Sequence, residues 1–325
     1  MNNWHKSIAA GLCLSASTLF TSATASANID IVFDYTFDTL GFFDLGTTFA
    51  DGSTGAERRA RLEEAASYYE NVFQDTLAPI TGGTWNAEFS HPGTGSITTV
   101  SNPIVGQDQV LIYAGGRNFS GSTLGRGGSG GFPPTGGTAS FLDALVSRGE
   151  FAFDTAPAAQ TDFASWGGSL TFDTQITNGA SNYNWFWGDA NAEVPAQVDN
   201  GPSVVYDFLS VAIHEIGHVL GFGGANSWDN LITNNEFFGT ASMGVFGGPV
   251  PIDAASQAHW EADILGDSTA MDPSLSNNSR ALLSMLDYAG FDDIGWEVDY
   301  AAIPEPASLA LLALGSLTML RRKRA

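Results

Sequence analysis

Apolar and polar residues alternate over residues 28–39. Ile29, Ile31, Phe33, Tyr35 and Phe37 share one face, and Asp30, Val32, Asp34, Thr36 and Asp38 the other. A period of two predicts a strand with one apolar face near the start of the domain. The period changes over residues 56–77, where Leu62, Ala65, Ala66, Tyr69, Val72 and Phe73 recur at helical spacing. Arg58, Arg59, Arg61, Glu63, Glu64 and Glu70 fall mostly off that stripe, which predicts an amphipathic helix whose arginines lie on a solvated face. Residues 84–90 and 109–113 read as further strands. Residues 115–137 are glycine-rich and contain Pro133-Pro134, the composition of a surface loop, and no phosphate-binding pattern occurs in them. Leu170 and Phe172 alternate with Thr171 and Asp173 after Gly167-Gly168, another strand, and Asn184-Trp185-Phe186-Trp187 follows as core or cleft wall.

The strongest periodic segment is a helix capped by Ser203 and running through Val204, Val205, Phe208, Leu209, Ala212, Ile213, Ile216 and Leu220, with Gly221 and Gly223 to stop it. It carries His214-Glu215-Ile216-Gly217-His218. Two histidines four apart lie one turn above each other on one helix face, where a single tetrahedral Zn²⁺ can take both imidazoles. Glu215 can reach a water at such a metal and reads as a general base. Zinc that keeps a water needs at least one more protein ligand. Residues 28–303 contain only four histidines, His91, His214, His218 and His259. His91 closes a predicted strand before Pro92-Gly93 and reads as structural. His259 is a candidate third ligand, and Asp229, Glu236, Glu261 and Asp263 compete with it. The glutamate-type zinc peptidases add an aspartate four residues after their third ligand, and Glu261 has Leu265 there.

The two ends have a different composition. Lys6, the apolar stretch from Ile8 to Phe20 and Ala25-Ser26-Ala27 predict a signal peptide over residues 1–27, which also holds the single cysteine, Cys13. Pro304-Glu305-Pro306, the apolar residues from Ala307 to Leu320 and Arg321-Arg322-Lys323-Arg324 resemble, in that order, the PEP-CTERM sorting tail of Gram-negative bacteria. The resemblance implies export, transient inner-membrane association through residues 304–325 as a membrane helix, processing by an exosortase, and delivery to the cell surface or extracellular matrix. Residues 28–303, the predicted folded domain, keep 7 of the 12 basic residues, all arginine, and 34 of the 35 acidic ones, a net charge of −27. A surface so acidic repels phosphate backbones and excludes nucleic acid as a partner. Calcium remains open without assigned ligands, since no complete EF-hand loop is present.

Beyond the helix, Gly221-Phe222-Gly223-Gly224, the segment from Phe237 to Ile252, His259-Trp260-Glu261 and Met271-Asp272-Pro273 resemble metzincin zinc peptidases. The match is to the leishmanolysin-like branch and its bacterial relatives, and it covers roughly residues 203–297. Most metzincins place the third zinc histidine where Gly224 stands. This branch brings it from further on, after an insertion. The resemblance implies that His214, His218 and His259 hold zinc and that Met271 forms the methionine turn beneath the metal. It also implies a last helix over residues 279–289, stopped at Gly290. The fold it implies is α+β: a twisted mixed sheet, the helix bearing the two histidines, and a smaller helical C-terminal subdomain. Gly168, Ser169, Leu170, Thr171 and Phe172 resemble the family's edge strand, which pairs with an extended peptide substrate. No tyrosine stands just beyond Met271 to serve as a second oxyanion donor. The function expected is zinc-dependent endopeptidase, with protein or peptide as substrate. The alternative is a catalytically silent surface or matrix protein that keeps the fold for binding.

Overall fold

The computed structural model describes residues 28–174, 177–178, 181–195, 204–266 and 269–303, so the expected signal peptide and sorting tail lie outside the described residues. The chain first lays down β1 (Asp30–Asp34) and α1 (Gly55–Glu70). β1 is the period-two segment, with Ile29 and Ile31 buried. α1 starts at a capping box, in which Thr54 accepts from the Glu57 N–H and Glu57 returns to the Thr54 N–H. A hairpin of β2 (Asn86–Ser90) and β3 (Ile97–Ser101) follows, then β4 (Gln109–Arg117), β5 (Gly125–Ser129), α2 (Ala139–Val146) and β6 (Gly167–Asp173). The main sheet has the order β1-β4-β6-β5, with β1, β4 and β6 parallel and β5 antiparallel to β6. It is a mixed sheet in an arrangement of helices and several smaller sheets, compatible with α+β.

Two sequence expectations change here. Gly168–Phe172 is not an edge strand, because β6 is hydrogen-bonded to β4 on one side and β5 on the other. Its alternation of small polar with apolar residues suggested one wet face, but Ser169 and Thr171 are as buried as their neighbours. The open edge belongs to β5, inside the glycine-rich stretch expected to be a loop. The arginines of α1 are not all solvated either. Arg58 is buried, bonded to the Ser53 hydroxyl, the Phe42 carbonyl and Asp51, with its guanidinium over Phe49.

The remaining elements are β7 (Thr177–Asn178), β8 (Ser181–Phe186), β9 (Val204–Asp207), α3 (Phe208–Val219), α4 (Asn226–Asp229), β10 (Ile232–Thr233), β11 (Glu236–Phe237), α5 (Thr240–Phe246), β12 (Val250–Pro251) and α6 (Met285–Asp293). Ser203 lies outside the described residues. Val204 and Val205, read as helical, instead pair with β8 in a parallel ladder, and Asp207 caps α3. The expected last helix starts six residues late, at the Ser284 cap. Gly290 lies within it, because its bare face lets Phe222 and Trp260 pack closely against the helix. The C-terminal part is mixed rather than purely helical, since β10, β11 and β12 form a small antiparallel sheet. The larger core joins elements from both ends of the chain: Leu62, Tyr69 and Phe73 from α1, Leu170 and Phe172 from β6, Ile213 and Ile216 from α3, and Trp228, Trp260, Phe291 and Trp296 beyond it. A second cluster, including Trp85, Phe89, Tyr113, Leu145 and Trp166, packs separately.

Candidate metal centre

α3 is anchored at both ends. The Asp207 carboxylate accepts from the Ser210 N–H and hydroxyl and takes a two-pronged contact from Arg280 at 2.8 and 2.9 Å. At the other end Gly221 (φ +95°) and Gly223 (φ +73°) turn the chain out of the helix. A Cβ on Gly223 would stand 2.2 Å from the Ala258 carbonyl oxygen. Only a bare glycine lets the turn before His259 press against the end of this helix.

That turn is built by Asp253, whose carboxylate accepts the N–H groups of Ala255 and Ser256 and, at 2.6 Å, the Ser256 hydroxyl. Three imidazoles then meet. The His218 Nε2 lies 3.0 Å from that of His214 and 3.1 Å from that of His259. Among the described residues no other group of three His, Cys, Asp or Glu side chains converges in this way. Asp229, Glu236, Glu261 and Asp263 are exposed and lie outside the group, and among the described residues no set of three carboxylates converges for calcium. His91 is elsewhere, its Nδ1 accepting the Gly93 N–H at 3.0 Å and its ring edge-on to Phe37.

The outer nitrogens determine what this meeting means. The His214 Nδ1 lies 2.7 Å from the Ala270 carbonyl oxygen and the His218 Nδ1 2.9 Å from that of Phe222. A carbonyl can only accept, so both Nδ1 atoms carry hydrogen. The His259 Nδ1 lies 3.1 Å from the Ser256 oxygen, whose own hydrogen goes to Asp253, so it donates as well. All three Nε2 lone pairs therefore point at one another with no proton among them. Protonation is disfavoured too. Burial, then the neighbouring imidazoles, pull His214 well below the ordinary range and His259 down to about 4. Converging lone pairs of this kind fit a cation. A tetrahedral zinc site with Zn–N near 2.05 Å spaces its nitrogens by about 3.3 Å. The carbonyl and hydroxyl acceptors on Nδ1 are the outer partners that orient histidine ligands.

Glu215 follows His214 into the same cleft, a cavity of about 600 Å³ also lined by Gly125, Gly127, Tyr206 and Leu275. Burial pushes its carboxyl up to about 8, against the lowering effects of the Gly127 N–H and the Arg126 guanidinium. Met271 is fully buried, with its sulfur 2.7 Å from where a Gly217 Cβ would stand, directly beneath the helix between the two histidines.

Sequence reading missed Asp287. This buried carboxylate accepts from Trp260 Nε1, the N–H groups of Ala270 and Ser284 and, at 3.3 Å, that of Met271. It thereby ties the neighbour of His259, the carbonyl holding His214 and Met271 to one point. Its only sequence signal is the capping spacing Ser284-x-x-Asp287.

Residues 302–324 match the PEP-CTERM protein-sorting motif. The motif marks an exported protein sorted to the envelope or surface of a Gram-negative bacterium and recognised by an exosortase-type processing enzyme. No curated protein and no solved structure significantly matches the chain. Among the described residues no helix is long and apolar enough to cross a membrane.

Proposed function

We propose that this exported chain is a zinc-dependent endopeptidase of metzincin type, nearest the leishmanolysin-like branch. The observation that carries the reading is the meeting of three unprotonated Nε2 atoms beside a buried glutamate in an open cleft. A zinc ion at those nitrogens would polarise a peptide carbonyl and bring the pKa of a water toward about 7. The rest is the work of the chain. His214, His218 and His259 supply neutral nitrogens, each held in its tautomer by an acceptor on Nδ1. Glu215 takes the proton of the attacking water and returns it to the leaving amine. Its low-polarity surroundings raise its basicity as an isolated group, and a nearby dication opposes that shift. The free edge of β5, beside Glu215, offers main-chain N–H and C=O groups to an extended peptide. A site needed only for structure has no use for a proton acceptor at this place, which favours the enzyme over a silent binding protein.

The test is metal content together with cleavage. Purified protein should hold about one zinc per chain and cleave casein or a broad peptide library in a chelator-sensitive way. Glu215→Gln should keep the zinc and lose about 10²–10⁴-fold in kcat. His259→Ala should lose both zinc and cleavage. A zinc-loaded wild type with no activity on any peptide would leave the binding protein as the correct reading.

A further inference from the structure

Cations are scarce in this acidic domain, and the structure engages most of them. Arg58, Arg61 and Arg280 pair with Asp51, Glu64 and Asp207. Arg59 and Arg148 donate to main-chain carbonyls. Arg117 and Arg126 differ, because among the described residues neither guanidinium makes an ion pair or a hydrogen bond, although acidic side chains outnumber basic ones nearly fivefold in residues 28–303.

The two belong together. In the register of β4, β6 and β5, Arg117 lies opposite Asp173, while Gly115, Thr171 and Arg126 form the adjacent row on the same face. Both guanidiniums stand over the Phe119 ring, at 4.5 and 5.4 Å from its centre. Phe119 is pinned by its N–H to the buried Asp173 carboxylate at 2.8 Å. Burial, then the charge of Arg126, disfavours the charged form of Arg117, a repulsion that an incoming anion would relieve. Arg126 also stands on the open edge strand and lines the cleft that contains Glu215 and the three histidines.

We propose that Arg126, backed by Arg117 across Phe119, forms a subsite that selects an acidic side chain in the peptide substrate. This rests on the peptidase reading. A peptide that adds a strand to β5 places one side chain beside Arg126 on the same sheet face, in a register set by the main-chain ladder. A carboxylate there meets a planar donor fork that makes no ion pair or hydrogen bond among the described residues. The substrate class is thus a peptide with Glu or Asp at one defined distance from the cleaved bond.

The experiment uses quenched peptides identical except for Glu, Gln or Lys, placed in turn at each position around the cleaved bond. At one position wild type should prefer Glu over Gln by about tenfold in kcat/KM. Arg126→Ala should reduce that ratio below about twofold, Arg126→Lys should keep part of it, and raising salt from about 50 to about 500 mM should weaken it in wild type. Absence of an acidic preference at every position, or an unchanged ratio in Arg126→Ala, overturns the subsite. Binding of the same peptides to zinc-loaded Glu215→Gln protein, followed by fluorescence anisotropy, separates the two claims. An Arg126-dependent preference for Glu in binding, with no cleavage by wild type, upholds the subsite and removes the peptidase reading. Equal binding of the Glu and Gln peptides removes the subsite.

Discussion

At the scale of single residues, the polar groups that matter most are buried and each serves a neighbour. Arg148 is wholly buried and meets the carbonyls of Gln109, Gly106 and Ser165 without a carboxylate in contact, holding the chain around β4. Asp75 is the opposite case, an acid with little compensation. It is 1% exposed and accepts the Glu297 N–H, at 3.1 and 3.2 Å. Burial raises its pKa to about 8, with the charges of Glu150 and Glu297 adding to the effect. The folded chain therefore holds a proton that the unfolded chain releases near 4. The stability tied to that proton is fully present below the unfolded value. It is lost as pH rises toward about 8 and is constant above. Between pH 6.5 and 8, wild type in chelator should lose about 1.6 kcal/mol through this group, a change that histidines titrating near 6.5 in the unfolded chain oppose equally in wild type and Asp75→Asn. Asp75→Asn should lose far less over the same interval, as read from denaturant midpoints at the two pH values. Equal pH slopes in the two proteins would count against the assignment.

At the scale of elements, the site depends on close approach between pieces distant in sequence. β5 lies against α3 because the two residues that face the helix, Gly125 and Gly127, are glycines. A Cβ on Gly127 would stand 1.9 Å from the Glu215 carbonyl oxygen, and one on Gly125 would stand 2.8 Å from the Glu215 Cγ and Oε1. Gly127→Val should push the strand off the helix, costing about 1–3 kcal/mol of stability and lowering cleavage more than zinc content. Zinc titration and peptide assays on the same preparation read both effects. The small C-terminal pieces act through Asp287. Asp287→Ala leaves several main-chain N–H groups and an indole N–H without their acceptor, for about 3 kcal/mol or more. Zinc affinity should fall by about 10–100-fold, because the carbonyl that orients His214 loses its support. A variant that unfolds more easily yet binds zinc as tightly as wild type would separate α6 from the site.

At the scale of the whole molecule, the larger core means that the metal site and the fold share their stability. α1, α3 and α6 meet there: the Tyr69 hydroxyl donates to the Ile213 carbonyl at 2.7 Å, and its ring packs edge-on to Phe291. Residues 28–303 have no cysteine to cross-link the exported chain. A metal ion held by the three histidines would then be a staple besides the core. Zinc at about 100 times its Kd should stabilise the folded state by about 2.7 kcal/mol, and chelation should remove this. The melting temperature should drop with chelator in wild type and in Glu215→Gln, but not in His259→Ala, which lacks one of the three nitrogens. A chelator-insensitive wild type would show that zinc contributes nothing to the fold.

What the sequence determined by itself is local. Two histidines four apart share a helix face wherever that helix packs, and the glycines after them end it under any tertiary arrangement. The first strand, the first helix and the hydrophobic face of α3 were legible for the same reason, since periodicity records which side of an element is buried. It does not record what covers that side. Interior β6 and edge β5 could not be told apart, because small polar residues such as Ser169 and Thr171 can be buried and a glycine run carries no alternation. Arg58 was misplaced because its partners, Ser53, Phe42 and Asp51, lie on a folded-back loop that the helical period does not describe. His259 stands 41 residues from His218, and only the packing of its turn on bare Gly223 brings its Nε2 to 3.1 Å. The tautomers that leave three lone pairs facing one another depend on carbonyls of Ala270 and Phe222 and a hydroxyl of Ser256, contacts that exist once the chain has folded.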